Sequence, residues 1–127
     1  MHRIKKFGLT PDQYIALRLI HEFPEGEISQ VKLAGLMFTD SNNIAGLIKR
    51  MEEQNLIVRK ANTSDLRKKF IFQSEYGSSQ FKKGKKIAEQ LEGEALSCFS
   101  SREKKHFLSL LKELSMTIND RRKTLFF

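Results

Sequence analysis

The stretch SNNIAGLIKRMEEQNLIVRKANTSDLRKKFIFQ, at positions 41–73, decides the fold class. Its first half repeats apolar residues with a helical period, and its second half holds two short β-favouring runs separated by a turn. The apolar residues of the first half fall at i, i+3, i+4 and i+7: Ile44, Leu47, Ile48 and Met51. We therefore predict an amphipathic helix that ends near Gln54 and is followed by a β-hairpin.

The opposite side of this predicted helix is small, polar and basic. Two asparagines stand in its first turn, and two cations follow one to two turns later. Such a side fits the major groove of DNA, because Asn can bind adenine through two hydrogen bonds and cations can contact phosphates. The candidate DNA-binding residues of the helix are Ser41, Asn42, Asn43, Ala45, Gly46, Lys49 and Arg50.

The predicted hairpin carries positive charge at its tip and its base. Its strands are residues 56–60 and 69–73, and residues 62–65 form the turn. Asn55 stands where a helix ends in the left-handed conformation. The hairpin would bring Arg67 and Lys68 to the DNA backbone or the minor groove.

Two shorter helices are predicted before this stretch. Residues 10–13 (TPDQ) combine a capping box with proline at the first helical position, and Pro24 ends that helix. Ser29 can cap the next helix, and we expect Ser29 and Gln30 to lie near a DNA phosphate. Three helices followed by a hairpin is the order of a winged helix–turn–helix.

Two further helices are predicted after the hairpin. Ser74 can cap the first of them, which three glycines would weaken: Gly77, Gly84 and Gly93. Residues 100–103 form a second capping box that starts the last helix. The last helix and the terminus hold more apolar residues than a small winged helix can cover, which predicts a dimer. The candidate dimerisation residues are Phe107, Leu111, Leu114, Ile118, Phe126 and Phe127.

Composition restricts the class of protein. The chain has 127 residues and a formal net charge of +8, so we expect one domain with a polyanionic partner. Residues 41–73 hold seven basic and three acidic side chains. A single cysteine excludes an internal disulfide framework, and neither a membrane-spanning run nor a signal peptide is evident. These features predict a cytoplasmic, nucleoid-associated protein.

Five motifs follow one another in a fixed order. They are Leu-Thr-Pro-x-Gln-Tyr at 9–14, Leu-Ala at 33–34, Ile-x-x-Leu-Ile-x-Arg-Met-Glu-x-x-Asn-Leu-Ile-x-Arg at 44–59, Asp-x-Arg at 65–67 and Ser-x-x-Gly at 74–77. In this order and spacing they resemble the MarR family of bacterial transcription regulators, over roughly residues 9–118. The resemblance implies a mainly α fold with a small β-hairpin wing, that is, a winged helix–turn–helix plus a helical dimerisation region.

The resemblance also implies how the chain is divided and what it does. Residues 1–127 would form a single MarR-like domain, with a DNA-binding part at 9–73 and a helical dimerisation part made of 1–8 and 74–127. A homodimer would bind a pseudo-palindromic operator as a repressor, without a cofactor, and a small molecule or stress signal would release it. Asp65 would brace the wing, and Arg67 would contact DNA or pair with Asp65.

The sequence departs from the family pattern at four places. Asn55 replaces a glycine, and Gln73 replaces an apolar residue. Gly46 stands where the family often has a larger polar or basic side chain, so the operator would be read differently or more weakly. Only residues 1–8 precede the Leu-Thr motif, where the family usually has a long first helix.

Other readings of the chain stay open or are discounted. The alternatives are a winged-helix module that binds protein and a non-specific nucleoid-type DNA binder.

No nucleophile–base spacing or phosphate loop indicates an enzyme, and the histidines lack metal-ligand spacing. We expect Cys98 to be a buried structural residue. The lysines at 82–86 would form a solvated face, with phosphate contact as the alternative.

Overall fold

The computed structural model describes the backbone of residues 8–61 and 69–126, and the side chains as far as residue 118. This part of the chain holds five helices and one two-stranded antiparallel sheet, which confirms the predicted fold class. The elements are α1 (Pro11–Glu22), α2 (Gln30–Leu36), α3 (Ser41–Glu53), β1 (Ile57–Ala61), β2 (Lys69–Gln73), α4 (Glu75–Ala95) and α5 (Ser101–Phe126). The chain divides into two compact units, with the boundary between Glu89 and Gln90.

The capping residues chosen from the sequence start the first helices. The Thr10 hydroxyl accepts from Gln13 N at 3.2 Å, and the Gln13 side chain accepts from Thr10 N at 3.1 Å, which is a complete capping box. Ser29 caps α2 in the same way by accepting from Lys32 N. Asp40 caps α3 through Asn43 N at 2.7 Å. The predicted starts of α1 and α2 are confirmed.

The first unit is built around the apolar side of α3. The predicted stripe of Ile44, Leu47, Ile48 and Met51 is buried, and it packs with the buried residues of α1 and α2, among them Leu17 and Leu33. Asn55 ends the helical segment with φ of +60°, so the predicted left-handed position is confirmed. The outward side of α3 is therefore fixed by the burial of its inner side.

The hairpin is attached to the helices by its second strand. β1 and β2 pair antiparallel, with Arg59 opposite Ile71. Ile71 N donates to Ile28 O at 2.8 Å, so the link before α2 extends the sheet by one bridge. The Gln73 amide donates to Leu17 O at 2.8 Å. Gln73 thus contributes a polar attachment to α1 at the position where the family that the sequence resembles has an apolar residue.

Two glycines of α4 allow close packing. A Cβ at Gly77 would clash with the carbonyl oxygen of Leu56, and a Cβ at Gly84 would lie 3.0 Å from the ring of Tyr14. A Cβ at Gly93, by contrast, would meet no neighbouring residue within 4 Å. Gly77 and Gly84 therefore have a packing role that their low helix propensity did not indicate, because at both positions a Cβ would crowd a neighbouring residue.

In the second unit, α5 begins at the predicted capping box and leaves its apolar residues exposed. Ser100 and Glu103 satisfy each other's backbone N–H groups. Phe107, Leu111, Leu114 and Ile118 are between 38 % and 56 % exposed. Cys98 is exposed, so the expectation of a buried cysteine was wrong. Within the described residues, none of the helices is both long enough and apolar enough to cross a membrane.

Candidate nucleic-acid interface

The outward side of α3 is the predicted polar and basic surface. Of the seven candidate residues, six are exposed and Gly46 is half-buried. The exposed ones are Ser41, Asn42, Asn43, Ala45, Lys49 and Arg50. Because the opposite side of the helix is fixed in the core, this surface is available along the full length of α3.

The first turn of α3 has an acidic residue that orients one of the asparagines. Asp40 Oδ1 accepts from the backbone N of Asn43 at 2.7 Å, and Asp40 Oδ2 accepts from Asn43 Nδ2 at 3.3 Å. Asn43 keeps its second amide N–H and its Oδ1, which are the donor and the acceptor that adenine binds. Asp40 therefore caps α3 and also orients the side chain of Asn43, and neither contact was part of the sequence-based prediction.

The third turn of α3 places a guanidinium beside Gly46. A Cβ at Gly46 would lie 3.3 Å from Arg50 Nη1. Gly46 and Arg50 are one turn apart on the same side of the helix, so the guanidinium lies close beside the glycine, where a Cβ would displace it by a few tenths of an ångström. The sequence indicated the missing side chain at Gly46 but not that the guanidinium of Arg50 lies beside it.

A bidentate ion pair joins α3 to the hairpin. Arg59 Nη2 and Nε donate to the two carboxylate oxygens of Glu52, at 2.8 Å and 3.1 Å. The hydrogen bond from Arg59 lowers the pKa of the Glu52 carboxyl below its ordinary value. This pair fixes β1 against the end of α3, and sequence reasoning missed it because the partners lie on different elements.

Protonation of Glu52 should weaken this attachment. Since its pKa is lowered on folding, the pair stabilises the folded state above the ordinary Glu value of about 4.3. The contribution is lost as the pH falls through the lowered pKa. Glu52→Gln should reduce the free energy of unfolding by less than about 1 kcal/mol at pH 7, because the pair is about one-third exposed.

Denaturant unfolding at pH 7 and at pH 3 measures this effect. We expect the difference between Glu52→Gln and the wild type to be smaller at pH 3 than at pH 7, because protonation of the wild-type carboxyl at low pH weakens its pair with Arg59. Glu53→Gln serves as the control, since Glu53 is exposed on the same helix. An equal cost of Glu52→Gln at both pH values would contradict this account.

The side chains at the start of α2 already have hydrogen-bond partners within the protein. The Ser29 hydroxyl already accepts from Lys32 N, and Gln30 Oε1 accepts from Arg59 Nη1 at 3.4 Å. Both side-chain oxygens therefore have protein partners. The expected nearness of Ser29 and Gln30 to a phosphate stays a prediction.

Several of the other predicted site residues lie outside the part of the chain that the structure describes. They are Asp65, Arg67 and Lys68 of the wing, together with Phe127 and the side chain of Phe126. In the described hairpin, the Lys60 ammonium lies 5.1 Å from the centre of the Phe72 ring. The lysines of α4 at 82, 83, 85 and 86 are all exposed. Among the described residues, His, Cys, Asp and Glu form no group of three that could hold a metal ion.

Comparison with known proteins assigns the winged helix to a family. Residues 9–69 match the model of the MarR family. This chain carries a MarR-family domain. The match begins at Leu9, one residue before the N-cap of α1, and ends at the first residue of β2. The resemblance inferred from the ordered motifs is confirmed, and the domain is a winged-helix, DNA-binding transcription-regulator domain.

Solved structures extend the likeness beyond the matched residues. The transcriptional regulator SlyA is 27 % identical and superposes with a TM-score of 0.87, over 97 % of this chain and 85 % of its own. MarR is 25 % identical, with a TM-score of 0.82 over 94 % and 80 % of the two chains. Staphylococcus aureus MepR, crystallised as a DNA complex, is 19 % identical with a TM-score of 0.81 over 91 % and 85 %. MepR and this chain therefore share the same fold.

Proposed function

We propose that this chain is a dimeric repressor that binds a pseudo-palindromic operator. The observation that carries the proposal is the exposed polar and basic side of α3. This side faces away from the core because the opposite side of the helix is buried within the MarR-family domain. A protein of this fold, MepR, has been crystallised with DNA, which supports the same use of the fold here. We assign DNA binding to residues 9–73 and dimerisation to 1–8 and 74–127.

Each part of the DNA-binding surface has its own proposed task. Asn42 and Asn43 contact base edges from the first turn of α3, and Lys49 contacts phosphate. In the wing, Arg67 and Lys68 contact the backbone or the minor groove, and Asp65 braces the wing. Ser41 and Ala45 line the same side of α3, and the start of α2 at Ser29 and Gln30 lies near a phosphate.

The dimer is supported by the apolar residues of α5. Phe107, Leu111, Leu114 and Ile118 are spaced by four, three and four residues, and all four are exposed. Exposed apolar surface of this kind marks a protein–protein contact. We propose that α5 pairs with its copy about a two-fold axis. Two α3 helices would then meet successive major grooves about 34 Å apart.

Release requires two states with different separations of the two α3 helices. A small molecule or a stress signal shifts the dimer only if it has different affinities for the two states. Release of the operator in the cytoplasm would then permit transcription. The effector thus changes the separation of the two α3 helices. The contacts of α3 with bases determine which operator the dimer binds.

Substitutions of Asn43 and Lys49 separate base reading from phosphate contact. Asn43→Ala should relax the preference for one base pair and cost about 1 to 3 kcal/mol of binding free energy there. Lys49→Ala should weaken binding to all sequences about equally, and it should reduce the slope of log affinity against log salt by about one for each protomer of the dimer.

Equilibrium titrations of an operator duplex and a scrambled duplex, at several salt concentrations, measure both effects. Glu53→Gln is a control on the same helix that leaves both residues in place. If Asn43→Ala and Lys49→Ala behave alike on every duplex, base reading by α3 is wrong. Equal wild-type affinities for the two duplexes would instead indicate a non-specific DNA binder.

A further inference from the structure

The empty space at Gly46 brings the guanidinium of Arg50 toward the start of α3. A Cβ at Gly46 would lie 3.3 Å from Arg50 Nη1. A long side chain on a helix covers the turn that precedes its own Cα. The charge of Arg50 therefore acts about one turn nearer the helix N-terminus than its position in the sequence suggests.

This displacement matters for the kind of DNA contact that Arg50 makes. Recognition helices contact base edges with their N-terminal residues, whereas later residues contact the backbone. Asn42, Gly46 and Arg50 follow one another at intervals of four, so they form one row along the helix. The guanidinium lies in the middle of this row, one turn from Asn42, rather than at its end.

The guanidinium of Arg50 is also available for a ligand. Among the residues that the structure describes, Arg50 forms no ion pair. Arg59, the other arginine near this surface, already donates to both carboxylate oxygens of Glu52. Of these two arginines, Arg50 is the exposed one, and it has no carboxylate partner among the described residues.

We propose that Arg50 reads guanine in the major groove and that Gly46 is the specificity-determining residue that gives it room. The inference rests on the proposed function, namely that α3 enters the major groove. Guanine presents the acceptors O6 and N7, which match the two parallel donors of a guanidinium. Arg50 thus has a base-reading task and is not a phosphate contact like Lys49.

Substitution of Gly46 by alanine tests this arrangement with two effects of opposite sign. Alanine favours a helix interior more than glycine, and only the flexible end of Arg50 has to move, so the Tm of unfolding should rise. The guanidinium has to give way by a few tenths of an ångström, so the preference for guanine at one position of each half-site should weaken and operator affinity should fall several-fold. A loss of affinity together with a higher Tm cannot come from misfolding.

Gly93→Ala is the matched control because no atom would contact its Cβ. It should raise the Tm and leave the base preference at every operator position unchanged, because Gly93 lies outside the proposed DNA-binding part. Arg50→Lys keeps the charge without the fork, so it should lose the guanine preference about tenfold and retain the salt dependence of binding. Arg50→Ala should reduce both the guanine preference and the salt dependence of binding.

The readout is competition binding against duplexes in which each operator position is replaced in turn by the other three base pairs. Weakening of one guanine preference in Gly46→Ala and Arg50→Lys, with every other position unchanged, supports the proposal. Wild-type preferences at every position in both variants would overturn it while leaving the proposed function intact. A wild-type protein without any base preference would overturn the proposed function and this inference with it.

Discussion

Gly77→Ala should destabilise the protein by about 3 kcal/mol, the largest effect on stability that we expect from a single methyl group here. A Cβ at Gly77 would clash with the carbonyl oxygen of Leu56, and a backbone atom cannot move aside as a side chain can. The same carbonyl accepts from Ser74 N at 3.1 Å, so any displacement also disturbs that hydrogen bond. The Ser-x-x-Gly motif thus encodes the contact between the start of α4 and the segment that links α3 to β1.

Denaturant unfolding of Gly77→Ala and Gly93→Ala measures the effect within one helix. Gly93→Ala should increase the free energy of unfolding by up to about 1 kcal/mol, because alanine is the better helix former and its Cβ meets open space. The two variants should therefore shift stability in opposite directions. If Gly77→Ala were as stable as the wild type, the close approach of Leu56 would be wrong.

Leu111→Glu should have the largest effect on operator binding. Leu111 is 45 % exposed in the single chain, and glutamate has a helix propensity close to that of leucine, so the fold should persist. A charge in the proposed dimer contact should separate the protomers. A monomer binds only one half-site, so the gain in affinity from linking two half-site contacts is lost. Operator affinity should therefore fall by roughly 10² to 10⁴-fold.

Ser109→Glu is the matched control for this prediction. It adds the same charge to an exposed position of α5, on the side away from the row that contains Leu111. Sedimentation equilibrium should show a monomer for Leu111→Glu and a dimer for both the wild type and Ser109→Glu. A dimeric Leu111→Glu with undiminished operator affinity would exclude this surface from the dimer contact.

Local signals in the sequence were sufficient for most of the fold. The capping box of Thr10 and Gln13 and the turn at Asn55 each depend on neighbours within a few residues, so the pattern of residue types predicts them. The spacing of Ile44, Leu47, Ile48 and Met51 likewise predicts which side of α3 is buried. The MarR-family resemblance added the order of the elements, which these local signals alone do not determine.

Features that depend on contacts between distant residues could not be predicted in this way. The ion pair of Glu52 and Arg59 joins two elements, and the role of Gly77 depends on a carbonyl 21 positions earlier in the chain. The place of the Arg50 guanidinium depends on the path of a flexible side chain over Gly46. Cys98 was expected to be buried on residue type alone, yet it lies in an exposed turn between two helices.

The central claim is that this protein is a dimer that reads a specific DNA sequence. Selection of bound duplexes from a random pool, carried out with the full chain, tests it most directly. We expect an enriched pseudo-palindrome whose half-sites lie about one helical turn apart, roughly 10 base pairs between centres. Salt-sensitive binding without any enriched sequence, or no binding at low salt, would contradict the claim.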